Sequence, residues 1–274
     1  MRLFSNSLRW KVLAALALVS LATTLLLGGL GVFAVRGLSG LARDRARVAM
    51  EQELRQRLIA RVQEKARADD ALFEGVRAQA VSLGRYVAWF YENPENIPEP
   101  GYLKGGSTLD QTPMGHRVNK PETAVGVFVS RRATMSDAVW REVGTLSFTD
   151  PLMKSVHDST PGADRVWVIS DTRIVRIYPN LKLGHEGSPV GPDYDLTEDE
   201  PFQAAAPGRN PERLPVWTAP YLDPVTDSLM ITAVAPIYDE NGQFRAAAGV
   251  DMSLIKVLDG VLQMQPEPGG YAFL

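Results

Sequence analysis

Three histidines, no cysteine, and scattered aspartates, arginines and aromatics are what this 274-residue chain offers to chemistry. His116, His157 and His185 stand in loop-like or helix-end sequence, and no pair of them has the helical spacing that sets two imidazoles around one metal. The lack of cysteine removes both a thiol nucleophile and a disulfide framework. No Gly-x-Ser-x-Gly elbow and no Gly-Lys-Ser/Thr phosphate loop occurs, so acyl and phosphoryl transfer lack their usual parts. No catalytic residue, metal ligand or cofactor is therefore assigned, and a membrane-anchored periplasmic hydrolase with a triad assembled across the fold stays as the enzymatic alternative. Arg173 and Arg176 are three apart, so on a regular strand they point to opposite faces and cannot form a joint anion clamp.

The elements that must carry any site begin with a long apolar run. Val12 to Val35 are 24 consecutive residues without a charge, enough for a helix to cross a hydrocarbon core about 30 Å thick. A signal peptide has a shorter apolar core and a small-residue cleavage site, whereas this run leads through Ala34-Val35-Arg36 into helix-forming sequence. Arg2, Arg9 and Lys11 precede the span while Arg36, Arg43, Arg45 and Arg47 follow it, so positive charge does not fix its orientation. A net charge of −3, with both signs interspersed, excludes a basic nucleic-acid surface.

From Arg36 to about Tyr91 the chain reads as one helix, lightly broken at Gly37, Gly40, Gly75 and Gly84 and stopped by Asn93-Pro94. Leu54, Leu58, Val62 and Ala66 form one apolar stripe; Leu72, Val76, Ala80, Leu83, Val87 and Phe90 form another. At about 1.5 Å per residue this helix would be on the order of 80 Å long, so it either stalks out from its own domain or pairs with a second chain. Beyond a Pro- and Gly-rich connection, Ala124–Val129 reads as a strand, and Met135–Leu146 and Pro151–His157 as helices, the first opened by Ser136 as N-cap. Arg165–Ser170 and Arg173–Tyr178 alternate around Asp171-Thr172 as a hairpin; Leu229–Tyr238 and Gln243–Asp251 form a second around Asn241-Gly242. Ser253–Met264 is a further helix, and Tyr271–Leu274 opens an apolar strand in which the chain stops, as a fragment with a second domain downstream would. The fold class is α+β, an antiparallel sheet with flanking helices.

The segment Asp195–Leu254 carries a resemblance. Pro211-Glu-Arg-Leu-Pro-Val-Trp-Thr-Ala-Pro-Tyr-Leu-Asp223, then Met230-Ile-Thr-Ala-Val-Ala-Pro-Ile-Tyr-Asp239, then Gly249-Val-Asp-Met-Ser-Leu254 resemble the membrane-distal half of a double Cache domain, the PAS-like extracytoplasmic sensor of bacterial receptors. The resemblance runs from about Leu38 to the end. It implies residues 1–11 as a cytoplasmic N-terminus, 12–35 as a transmembrane helix, 36–92 as a stalk or dimer helix, 93–264 as the distal sensor domain, and 265–274 as the start of a truncated membrane-proximal Cache domain. It also places the sensor outside the bacterial inner membrane.

Amino-acid-binding members of that family carry an arginine and aromatics in the loop over the sheet, with a later tyrosine and aspartate. Aligned on this chain, the loop segment is Asp199-Glu-Pro-Phe-Gln-Ala-Ala205, so Phe202 matches approximately and Asp199 replaces the arginine; Tyr221 and Asp251 fall at the tyrosine and aspartate. Because a carboxylate cannot pair with a ligand carboxylate, the expected ligand is an amine, a cation or a neutral metabolite in preference to an ordinary amino acid. The expected contacts are Asp251, Tyr221, Asp223, Trp217, Phe202 and Asp199, with Arg176 and Tyr178 looking in from the adjoining strand. Each has a plainer role: Trp217 and Trp167 as core, Tyr221 as a sheet cap, Asp223 and Asp251 as turn or helix-cap residues.

The expected function is small-molecule sensing by a membrane-anchored homodimeric receptor. A sensor histidine kinase is the first choice of output; a methyl-accepting chemoreceptor or a diguanylate cyclase is the alternative. An adhesive module is the remaining class and requires no enclosed polar pocket.

Overall fold

The computed structural model describes residues 3–98 and 109–262. Helix α1 runs unbroken over Leu3–Glu92, through the glycines at 37 and 40, and ends where Asn93 and Pro94 remove the geometry and the donor that another turn needs. The chain divides into two compact units, Met1–Lys65 and Ala66–Leu274. In the first, Ala15–Phe33 is long and apolar enough to cross a membrane, with large side chains such as Leu27 and Phe33 fully open at its surface.

The second unit is an antiparallel sheet with long helices on one face and a layer of loops and one short helix on the other. Its strands are β1 (Asp110–Gln111), β2 (Arg117–Val118), β3 (Gly126–Val129), β4 (Ala163–Ser170), β5 (Ile174–Tyr178), β6 (Val216–Trp217), β7 (Tyr221–Leu222), β8 (Leu229–Tyr238) and β9 (Phe244–Ser253). The order across the sheet is β1-β2-β3-β5-β4-β9-β8-β6, with β7 also pairing β8. Helices α2 (Asp137–Leu146), α3 (Asp150–Ser159), α4 (Glu200–Ala205) and α5 (Leu254–Leu262) complete it. This is the expected α+β architecture: an apolar N-terminal helix, a long helix and a PAS-like sheet. The strand expected at Tyr271–Leu274 lies outside the described residues.

Period-two alternation in the central strands sorts two cores. Val166, Val168, Ile174, Ala248 and Val250 face the helices, where Val76, Ala80, Leu83 and Val87 of α1 pack with Val143 and Leu146 of α2 and Met153 of α3. The second stripe read along α1 is thus its buried face. Gly84 lets α1 approach β8: a Cβ there would lie 2.9 Å from the Ala235 Cβ, so this glycine serves packing. Trp167, Ile169, Val175, Ile177, Val234 and Ala247 face the other way and are covered by Leu183, Val190, Phe202 and Ala205.

Local chemistry accounts for the boundaries. Ser136 accepts a hydrogen bond from the Val139 amide at 3.3 Å and caps α2. Between β8 and β9, Gly242 takes φ +73° while Asp239 Oδ1 accepts from the amides of Asn241 and Gln243, as the Asn-Gly pair predicts. The β4–β5 turn has no glycine, and Arg173 itself adopts the left-handed conformation at φ +69°. Strand β9 continues to Ser253, so Asp251 is a buried mid-strand residue and not the helix cap its position allowed.

Candidate functional site

The covering layer is pinned at both ends. His116 Nε2 lies 2.8 Å from the Gly184 carbonyl oxygen, and the buried Asp195 accepts from Arg173 Nε at 2.6 Å and from the Thr197 amide at 3.1 Å. Burial works against the Asp195 carboxylate, but these donors hold its pKa below the usual range. Between this layer and the sheet lies a cavity of about 260 Å³. Apolar walls come from Ile169, Val175, Ile177 and Leu183; its polar groups are Arg165, Tyr194, Asp199, Glu200, Tyr221, Asp223 and Asp251.

Arg165 on β4 lies opposite Asp251 on β9, and alternation sets it on the same face as Trp167 and Ile169. Its side chain is only 6% exposed. The guanidinium bridges two carboxylates, with Nε 2.9 Å from Asp251 Oδ2 and Nη1 donating to Asp223 Oδ2 at 2.9 Å. Nη2 is buried without a hydrogen-bond partner. A buried unmatched donor costs about 1–3 kcal/mol, so this atom favours an incoming acceptor. Burial draws the Arg165 pKa down, but Asp251 and Asp223 outweigh that and keep the group protonated.

Asp251 is saturated by the protein. Oδ1 accepts from Trp167 Nε1 at 2.7 Å and from Thr232 Oγ1 at 2.8 Å, and Oδ2 faces Arg165. Because Thr232 spends its hydroxyl proton on Asp251, the 2.8 Å contact between Tyr221 Oη and Thr232 Oγ1 has the tyrosine as donor. Burial raises the Asp251 pKa against the pull of Arg165, and burial likewise raises that of Tyr221. Asp223 Oδ2 also accepts from the Thr226 amide at 2.8 Å, which fixes the turn after β7. At the other side of the cavity Tyr194 Oη donates to Asp199 Oδ1 at 2.8 Å. Burial pushes Asp199 up to about 6 despite this donor, and the negative charge of Asp223 adds to the rise.

Of the residues expected from sequence, Asp199, Tyr221, Asp223 and Asp251 come together around this cavity. The other four lie elsewhere. Phe202 is core, edge-on to Phe244 at 5.3 Å, and Trp217 packs edge-on against Phe73 of α1 at 5.2 Å, on the helix side of the sheet. Arg176 and Tyr178 fall on the helix-facing register of β5 and line a different cavity. Trp167, expected as core, is buried there and also lines the cavity; Arg165 and Tyr194 carried no expectation, although period two through Trp167 carries the signal that Arg165 shares its face.

Residues 174–259 match the family model of the methyl-accepting chemotaxis protein-like first PDC sensor domain. Over those residues the chain is similar to a PDC sensor domain. No protein of curated function matches it significantly in sequence. Among solved structures, it is similar to the ligand-binding domain of the Pseudomonas aeruginosa PAO1 chemoreceptor PctB in complex with L-Gln, at 20% identity and TM-score 0.34, covering 45% of each chain. The Pseudomonas fluorescens chemoreceptor CtaA with L-isoleucine gives 19% identity and TM-score 0.35, covering 47% of each chain. The ligand-binding domain of Mlp24 with asparagine gives 21% identity and TM-score 0.31, covering 47% of this chain and 52% of that one. The chain spans about half the length of these structures.

Two expectations change. The PDC sensor is chemoreceptor-like, which backs the chemoreceptor alternative better than the histidine kinase. The preference for an amine, cation or neutral metabolite over an ordinary amino acid is corrected, since the similar chemoreceptor domains hold L-Gln, L-Arg and asparagine. Its premise also fails physically: the cavity that holds Asp199 is not without a cation, because strand β4 brings the Arg165 guanidinium to it.

Proposed function

We propose that this chain is the sensing region of a chemoreceptor-type membrane receptor, anchored by residues 12–35 with residues 93–264 outside the cytoplasm, and that its ligand is a free amino acid or a close analogue. The unpartnered Arg165 Nη2, in a cavity whose other charged groups are carboxylates, supports this reading. A zwitterion supplies what two groups lack: a carboxylate for the guanidinium Nη2 and an ammonium for Asp199, whose side-chain partner is the neutral Tyr194 hydroxyl. Chemical balance therefore favours a ligand carrying both charges over one carrying either alone.

Signal arises only through differential affinity for two arrangements of the sheet and its covering layer. The layer that closes over a ligand is pinned by Asp195 and His116, while α1 packs on the opposite face of the same sheet. Thermal denaturation of the full chain in detergent against the proteinogenic amino acids and GABA tests the reading. A ligand at about a hundredfold excess over its Kd adds about 2.7 kcal/mol, a readable rise in Tm. A panel in which no amino acid raises Tm while amines or neutral sugars do would overturn it.

A further inference from the structure

The floor beneath the Arg165 cavity changes character along its length. Arg165, Trp167 and Ile169 succeed one another on the same face of β4, about 7 Å apart. Strand β5 continues each row, with Ile177 beside Trp167 and Val175 beside Ile169. Leu183 faces this floor from the covering layer. One end of the floor is therefore charged, and beyond Trp167 it is aliphatic.

Most polar groups of the cavity are already occupied within the protein. Asp251 is held by Trp167, Thr232 and Arg165, and Tyr221 donates to Thr232. Glu200 accepts from Arg209 Nη1 at 2.7 Å and Nη2 at 2.8 Å, a bidentate pair. What stays open is Arg165 Nη2 and two carboxylate oxygens. Among the described residues no cation pairs with Asp199, and Tyr194 reaches only its Oδ1; Arg165 and Thr226 all bond Asp223 through Oδ2, leaving its Oδ1 unoccupied. Asp223 stands close enough to Asp199 for its charge to oppose ionisation there. An ammonium between the two, with three protons to place, removes that repulsion. Because Asp223 is bonded to Arg165, these open atoms gather at the charged end of the floor.

Once an amino acid's carboxylate and ammonium take those positions, its side chain is left with Trp167, Ile169, Val175 and Ile177 below and Leu183 above. A charge or amide there would lose its water and find no partner. The volume of about 260 Å³ lies below the roughly 300 Å³ at which drug-sized pockets begin, so a single small amino acid suits it.

We propose that the ligand is an amino acid with an aliphatic side chain, its carboxylate on Arg165, its ammonium between Asp199 and Asp223, and its side chain on the floor of Trp167 and Ile177. This rests on the amino-acid reading above and narrows it to one side-chain class.

Calorimetric titration of the full chain in detergent with L-alanine, L-valine, L-leucine, L-lysine, L-glutamate and L-glutamine tests it. Valine or leucine binds most tightly and at least tenfold better than alanine, since each methylene in an apolar pocket is worth about tenfold or more. Lysine, glutamate and glutamine bind more weakly than either. Ile177→Thr, which sets a hydroxyl in the floor, weakens the preferred aliphatic amino acid about tenfold and leaves alanine nearly unchanged, whereas a merely structural effect lowers both alike. The wild-type series is decisive even where the variant does not fold. Lysine, glutamate or glutamine matching the aliphatic amino acids, alanine matching valine and leucine, or an equal loss for alanine and leucine in Ile177→Thr would overturn the assignment while leaving the amino-acid reading intact. If none of the six binds, the assignment fails, and the thermal panel over all amino acids decides the broader reading.

Discussion

Trp167 Nε1 donates to Asp251 Oδ1 at 2.7 Å by laying its indole across Gly249, the residue paired with Trp167 in the neighbouring strand. The contact ties the floor of the cavity to the carboxylate that orients Arg165. It also gives the Gly-Val-Asp sequence a physical meaning: the glycine makes room for the indole that the aspartate then holds.

A Cβ at position 249 would stand 2.2 Å from Trp167 Cζ2, in a central strand whose backbone cannot retreat. Gly249→Ala is expected to cost about 2–3 kcal/mol by overpacking. Urea denaturation followed by tryptophan fluorescence measures it. A loss under about 0.5 kcal/mol would show that the indole repacks freely.

The last turn of α1 is held to the distal domain by Tyr91 Oη, which donates to Glu142 Oε1 at 2.6 Å, while Thr172 Oγ1 donates to Oε2 at 2.7 Å. Burial raises the Glu142 pKa, so its carboxylate depends on these donors. Tyr91→Phe removes one and should lower stability by about 1–2 kcal/mol. Hydrogen exchange should quicken in the end of α1 and in α2, leaving β4 and β9 protected.

Asp199, at about 6 in the folded protein, lies above its unfolded value of 3.8. The folded state therefore binds more protons than the unfolded one between these values, and stability falls as pH rises through that window before levelling. Asp199→Asn abolishes this contribution. Melting curves of both proteins from pH about 4 to 7 should show the variant gaining on the wild type as pH rises, with the change complete just above pH 6. A constant difference across the range would remove Asp199 from the titration.

The sequence made the hairpins and the capped helix legible because local chemistry decides them: Asn241-Gly242 specifies its turn, and Ser136 specifies the start of α2. Asp199, Tyr221, Asp223 and Asp251 were legible as a group through family resemblance. Arg165 was not. Its role depends on a pairing across 86 residues to Asp251, in the register that β4 and β9 keep from Arg165 to Ser170 and that no local signal marks. Arg176 was misplaced for the opposite reason: chemical type pointed to the cavity, whereas strand parity sends it to the helix side beside Val168 and Val127. Strands of two residues, such as β6 and β7, exist only through pairing with β8 and carry no periodic signal of their own.

The central claim is that Arg165 receives a ligand carboxylate. Arg165→Lys keeps a cation between Asp223 and Asp251 but removes the fork that presents Nη2. Calorimetric titration of wild type and variant with the amino acid that most raises Tm is the direct measurement. Affinity falling by roughly ten- to a hundredfold, with the fold retained, is the predicted result; equal affinity in the two proteins would contradict it.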